Sequence, residues 1–396
     1  MKILYVFYHE YERMPIHAVE VIEEMNRQGH QVIVVTAISR HFLQGLAWPH
    51  TIQVHRVPIV NLKGLRTLSF FINSLIVLPF WCLKESPSIV YERFSLTSLA
   101  TVWITRLFGI PLVLEVNGIS VDELALSGSA RLRLHLHKLV EGWVFRGSDL
   151  LITVTEGIRQ WIGSEHSVPI EKIETILNGT NPCRFTPSDK GLARKEFGLD
   201  PERPIVGYLG SLFPWCGLEL LIEASLLILE SIPDVLFLIG GGQAEMKVEL
   251  QRRVKHLGME QHFVFQGEVP WEKAALFISA FDLAVAPAQF SNPRSGISPQ
   301  KVYAYLACER PVVGSDIEGL GDLLTREGVG VSFPSGDAEK LAGAIIQLLQ
   351  DRELAQTMGE RGKQLVLDRF TWKRVVQKTV RIFKDILESR IEQQET

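Results

Sequence analysis

Short apolar runs alternate with longer helical patterns along almost the whole chain, and no other feature constrains the fold as much. KILYVFY, QVIVVTA, TIQVHRV, SIVYE, PLVLEV, DLLITVT and KIETILN occupy the first half. PIVGYLG, VLFLIGG, FVFQG, LAVAPA, RPVVGS and GVGVSF occupy the second. Such alternation predicts parallel sheets built from βαβ units. The runs are rich in Val, Ile and Leu and nearly continuous, as strands covered on both faces should be. At 396 residues the chain exceeds one ordinary core. The expected class is therefore α/β, with two doubly wound domains in succession, at 1–185 and 204–368. The linker, 186–203, comes from a polar stretch, CRFTPSDKGLARKEFGLDPERP, with three prolines and several charges. Residues 369–396 read as a long amphipathic helix with a polar tail.

Composition narrows the function classes. Net charge is −4 with 22% charged residues, which argues against a general nucleic-acid binder. Cys82, Cys183, Cys216 and Cys308 are scattered without a C-x-x-C pair, as expected for reduced thiols in a cytoplasmic protein. MKILYVFYHEYERMP lacks the pattern of a signal peptide and reads as a first strand. LSFFINSLIVLPFWCL, 68–83, carries no charge but contains Asn73 and Pro79 and is short for a membrane span. It reads first as a buried helix against a sheet, and alternatively as a surface helix dipping into a bilayer. RLRLHLHK, 131–138, is basic; anionic lipid or plain solvent would suit that face equally.

Ligands of open parallel sheets bind at the carboxyl ends of the strands, and with two such domains the cleft between them is the expected place. Several turns in the second half suit that role. GYLGS supplies Gly210 and Ser211 before running through LFPWCG, LIGGGQ supplies Gly241, and FQGEVP supplies Gly267 and Val269. Glycine lets the backbone approach a ligand closely. In SNPRSGISPQKVYAYLACERPVVGSD a helix is expected to start with Ser298 as N-cap and Pro299 at its first position. Lys301 then lies in the first turn, where a cation opposes the helix dipole, and Arg294 lies just upstream. Positive charge added to a helix N-terminus reads as a phosphate or diphosphate site. The plainer alternatives are cations pointing into water, or a Lys301–carboxylate pair. There is no P-loop, no G-x-G-x-x-G after the first strand, no Asp-x-Asp metal clamp and no G-x-S-x-G elbow.

An ordered series of segments resembles the retaining GT-B glycosyltransferases of the family-4 type over nearly the full length. LYVFYHEYERMPIHAVEVIEEMNRQGHQVIVVTA resembles the opening βαβ unit; VYERFSL, PLVLEVNG and ETILNGTNPCRFTP resemble the middle and exit of the first domain. GSLFPWCGLELLIEA, FLIGGGQAE, FVFQGEVP and SPQKVYAYLACERPVVGSD follow in the family's order. The resemblance implies two Rossmann-like domains, an NDP-sugar donor on the second, a glycan or lipid-linked acceptor on the first, and a final helix crossing back to the first. It implies transfer with retention, a donor phosphate oxygen taking the acceptor's proton, and no metal cofactor. The expected location is cytoplasmic, and the apolar 68–83 and basic 131–138 segments add the inner face of the membrane as an alternative. Donor-binding residues implied are Gly210, Ser211, Cys216, Gly241, Gly267, Val269, Arg294, Ser298, Lys301, Ala304 and Tyr305. On the acceptor side stand Glu115, Asn117 and Arg93, with Asn117 and His17 as catalytic candidates.

Departures from the family pattern are specific. Gly296 and Ala304 stand where two donor-site Glu residues are usual, Ser211 and Cys216 where an Arg and a Lys contact the diphosphate, and Met14 and Pro15 near the usual paired glycines. Asn117 also reads as a turn residue before Gly118, His17 as a structural histidine, Glu92 and Arg93 as a mutual pair, and Tyr303 and Tyr305 as packing residues. Two other readings follow from the departures: a binding or scaffold protein that lost catalysis, or a nucleotide-sugar epimerase on the same fold.

Overall fold

Each apolar run becomes a strand of a wholly parallel sheet. The structure is a computed structural model and describes residues 1–8, 16–46, 48–60, 62, 65–119, 131–289 and 298–395. The chain divides into two compact units, Met1–Leu177 with Trp372–Thr396, and Asn178–Thr371. The first unit's strands are β1 (Lys2–Phe7), β2 (Gln31–Thr36), β3 (Ile52–Arg56), β4 (Ile89–Arg93), β5 (Leu112–Val116), β6 (Leu150–Thr153) and β7 (Ile173–Thr175). They are ordered β3-β2-β1-β4-β5-β6-β7. The second unit carries β8 (Ile205–Leu209), β9 (Leu236–Gly240), β10 (Phe263–Gly267), β11 (Leu283–Ala286), β12 (Val312–Ser315) and β13 (Gly330–Phe333), ordered β10-β9-β8-β11-β12-β13. Strand order reverses between β1 and β4 in one sheet and between β8 and β11 in the other. At such switch points the loops leaving adjacent strands run apart and leave room for a ligand.

Strand periodicity builds a core on both faces of each sheet. Along β1, Ile3, Tyr5 and Phe7 enter one cluster, while Leu4, Val6 and Tyr8 enter the other. In the second unit Leu236 and Leu238 of β9 face one side and Phe237 and Ile239 the other. The final helix, Trp372–Glu395, buries Trp372, Val376, Val380 and Phe383 in the first unit's core. Arg390 fastens its far end by donating to Asp149 Oδ1 at 2.6 Å and to the Gly109 carbonyl at 2.7 Å.

Three expectations change. The first division falls at Leu177/Asn178 rather than near 185. Residues 186–203 are not a free linker: helix Lys190–Glu196 packs in the second unit, with the Arg194 guanidinium buried and bonded to Asp282 Oδ2 at 2.7 Å. The segment 68–83 lies in helix Leu65–Glu85, which is covered on one face only. Arg66, Phe70, Ser74, Leu78 and Cys82 are buried, whereas Leu68, Ile72, Ile76, Phe80 and Leu83 are exposed. The basic stretch 131–138 opens helix Arg131–Gly147, and its Lys138 is neutralised by Glu165.

Candidate functional site

In the second unit the site grows from the end of β8. Gly210 N donates to the Gly240 carbonyl at 3.1 Å, and Gly241 N to the Gly267 carbonyl at 2.8 Å, so three turns are laced together. A Cβ on Gly241 would come within 2.3 Å of the Gly210 carbonyl oxygen. Only glycine therefore lets these turns meet. Gly267 has a φ of +79° and ends β10 at a register shift. Val269 packs beside Gly240 and the core, and offers no polar group.

Helix Gln300–Ala307 brings Lys301 to these turns. Its Nζ donates to Tyr208 Oη at 2.7 Å, lies 4.7 Å from that ring's centroid, and is 3.8 Å from Cys216 Sγ. A Cβ on Gly210 would meet Lys301 Nζ at 3.2 Å, so the ammonium sits directly against the turn. Burial pulls the lysine below its ordinary range and Cys216 opposes that shift. Among the described residues no carboxylate pairs with it, which removes the Lys301–carboxylate alternative. A second sequence expectation also fails. Pro299 rather than Ser298 occupies the N-cap position, and the Ser298 hydroxyl accepts from Asn178 N at 2.8 Å instead of capping the helix.

The remaining donor-side candidates divide. Ser211 is exposed, and its carbonyl accepts from Tyr208 Oη. Cys216 is buried. Ala304 lies in the apolar core and brings no polar group. Tyr305 is fully buried; its hydroxyl donates to the Leu209 carbonyl at 2.7 Å and accepts from Leu209 N at 2.9 Å, pinning the end of β8. Tyr303 stacks on Phe370 with centroids 4.5 Å apart. Arg294, Gly296, Met14 and Pro15 lie outside the described residues. Tyr208, the partner of Lys301, escaped the sequence reading; its place just before the Gly210 turn was the available signal. Gln243 was missed too: its side chain accepts from Leu212 N at 2.6 Å and orders the loop after β8.

In the first unit a polar cluster forms at the carboxyl ends of β4 and β5, with His17 from helix Ile16–Arg27 after β1. Glu115 is buried and accepts from Tyr91 Oη and Asn117 Nδ2. His17 Nε2 approaches its Oε1 to 3.5 Å. Burial pushes the Glu115 carboxyl up, but His17, Tyr91 and Asn117 outweigh it and hold the carboxyl at about 2. Burial and then Arg93 hold His17 below its ordinary range, with Glu115 opposing. Glu92 and Arg93 do not pair among the described residues: Ser98 Oγ donates to Glu92 at 2.8 Å, while the Arg93 guanidinium lies 6.0 Å from the Phe7 ring centroid. Burial lifts Glu92 to about 8, with hydrogen bonds from Thr101 and Ser98 opposing. Tyr5 Oη and Arg93 Nη1 are buried without a hydrogen-bond partner among the described residues, so the cluster holds unsatisfied polar capacity. Among the described residues no group of three or more His, Cys, Asp or Glu gathers as a metal-ligand set.

Two family models match the chain in succession: Glycosyltransferase Family 4 over residues 14–184 and Glycosyl transferases group 1 over 189–365. The chain belongs to the family-4 type of GT-B glycosyltransferases. Relatives of this glycosyltransferase are sugar transferases. It is 24% identical to alpha-maltose-1-phosphate synthase of Mycolicibacterium smegmatis over 76% of this chain and 80% of that one. To D-inositol 3-phosphate glycosyltransferase of Segniliparus rotundus it is 25% identical over 72% of this chain but only 63% of that one. Other relatives are matched over about three fifths of their length. Sucrose-phosphate synthase of Thermosynechococcus elongatus superposes with a TM-score of 0.81 at 18% identity, covering 98% of this chain and 99% of that one. HepE of Anabaena in complex with UDP-glucose gives 0.75 at 18% identity, covering 98% and 100%. At these identities the structures show a shared GT-B fold of two Rossmann-like domains.

Proposed function

We propose that this glycosyltransferase moves a hexosyl-type sugar from a nucleoside-diphosphate sugar to a glycan or lipid-linked acceptor, with retention of anomeric configuration. The observation that carries the reading is the Lys301 ammonium. It is held against the Gly210 turn at the β8/β11 switch point, bonded to a neutral phenol and, among the described residues, without a carboxylate counter-charge. A diphosphate supplies that counter-charge in charge-assisted hydrogen bonds. The names of the relatives and the UDP-glucose complex of HepE support a donor of this class.

In the reaction, the acceptor hydroxyl oxygen bonds to the anomeric carbon from the face that the diphosphate leaves. The bond from that carbon to the β-phosphate oxygen breaks, and its electron pair departs with the diphosphate. A phosphate oxygen takes the hydroxyl proton. Lys301 stabilises charge as it grows on the leaving group, so the step relies on neither a metal ion nor a protein base. The exposed Ser211 hydroxyl replaces part of what an arginine and a second lysine would give. Asn117, Glu115, Arg93 and His17 orient the acceptor. The four free thiols suit a reducing, cytoplasmic setting.

Incubation with UDP-, GDP- and ADP-sugars, with and without an acceptor panel, tests this. Acceptor-dependent release of one nucleoside diphosphate, with a product of the donor's anomeric configuration by proton NMR, is expected. An inverted product would overturn retention. A sugar altered without any acceptor would identify an epimerase.

A further inference from the structure

A cavity of about 880 Å³ lies along the outer edge of the first unit's sheet, beside β3 and away from the β1/β4 switch point. It falls within the roughly 300–1,000 Å³ typical of small-molecule sites. Its walls are apolar and aromatic: Trp48, Ile76, Phe80 and Trp81 line it, and Trp81 stacks on His55. Its charged lining residues are both cationic, Arg40 and Arg56. Arg40 has no ion pair or hydrogen bond among the described residues, and Arg56 donates only to the Ile38 carbonyl, at 2.8 Å. Lys84 lies 4.7 Å from the Trp81 ring centroid and adds a third cation nearby.

The cavity opens onto an exposed apolar face. Leu65, Leu68, Ile72, Ile76, Phe80 and Leu83 recur at spacings of three and four along helix Leu65–Glu85, a single stripe opposite the buried one. Trp103 and Leu107 of the neighbouring helix Ser98–Phe108 extend it, and Phe71 and Trp103 meet edge to face at 5.9 Å. The only charged residue of that second helix is the exposed Arg106. The only carboxylate of the first, Glu85, is taken by Lys2 at 3.3 Å. An apolar stripe flanked by cations opposes a second copy of itself, which would set like charge against like. It complements an anionic bilayer.

We propose that this face rests on an anionic membrane and that the cavity seats one anionic lipid. The chain of that lipid runs along Trp48, Ile76, Phe80 and Trp81, and its phosphate meets Arg40 and Arg56. Because one of its faces is buried in the fold, the helix lies in the interface rather than spanning it. The site is independent of sugar transfer.

The test uses the full chain with vesicles of phosphatidylcholine, alone or with phosphatidylglycerol, read by sedimentation. Decyl phosphate below its micelle concentration and inorganic phosphate are added as competitors. Binding to the anionic vesicles only is expected. It should fall about tenfold or more in Arg40→Ala/Arg56→Ala and in Ile76→Asp/Phe80→Asp. Decyl phosphate should quench tryptophan fluorescence in the wild type and not in the arginine variant, whereas inorganic phosphate should do nothing. Unchanged far-UV circular dichroism would show that the variants fold. Absence of binding to vesicles and decyl phosphate, or binding that both variants retain, would overturn the proposal. So would a dimer in solution that Ile76→Asp/Phe80→Asp dissolves, since the face would then be a protein interface. Equal displacement by inorganic phosphate would overturn the lipid assignment.

Discussion

Glu92 and Glu115 stand on adjacent strands and titrate in opposite directions. Glu115 gains stability from its partners; that gain is fully present above about pH 4.5 and is lost as pH falls towards about 2. Glu92 keeps a proton in the folded state that the unfolded chain releases above about 4.5, so stability falls as pH rises from there to about 8. The slope is about 1.4 kcal/mol per pH unit. Urea unfolding of Glu92→Gln should therefore match the wild type near about pH 5 and exceed it by a few kcal/mol near about pH 8.5. Equal curves at both pH values would show that Glu92 is ionised in the fold. Single residues were the least legible level in the sequence. Ser298 has the chemistry of a cap, yet a backbone N–H from Asn178, 120 positions away, claims its hydroxyl. Lys301 stood out as a cation against a helix dipole, but its partner Tyr208 lies 93 positions away and was signalled only by its place before the Gly210 turn.

At the level of elements, the turns around β8 depend on absent side chains. Gly217 has a φ of +72°, and a Cβ there would lie 1.7 Å from the Pro287 carbonyl oxygen. Gly217→Ala should cost more than about 1 kcal/mol in urea unfolding and weaken nucleotide binding, because the loop from β8 must move off β11. Unchanged stability would mean that this contact relaxes freely. The strands were readable because parallel strands buried on both faces need unbroken Val, Ile and Leu. Helix Lys190–Glu196 was not. KGLARKE looks solvated, and nothing local says that Asp282 and two carbonyls, of Ala280 and Pro201, will enclose Arg194. Helix Leu65–Glu85 misled in the other direction, since lack of charge suggests burial while only one face is covered.

For the whole molecule, chain order and unit membership differ, because the last helix belongs to the first unit. Burying side chains such as Trp372, Val376, Val380 and Phe383 is worth about 1.5–3 kcal/mol each. Truncation after Thr371 should abolish the cooperative unfolding of the first unit and leave that of the second, as followed by calorimetry. Two intact transitions would contradict this assignment. The central claim concerns the second unit alone: Lys301 and the glycine turns form a diphosphate site. Isothermal calorimetry of UDP, GDP and ADP against the wild type and Lys301→Met tests it most directly. One nucleoside diphosphate should bind the wild type, and the variant should bind it about 10–100-fold more weakly, with its nucleoside little affected. Equal binding by both proteins, or no binding of any nucleoside diphosphate by the wild type, would contradict it.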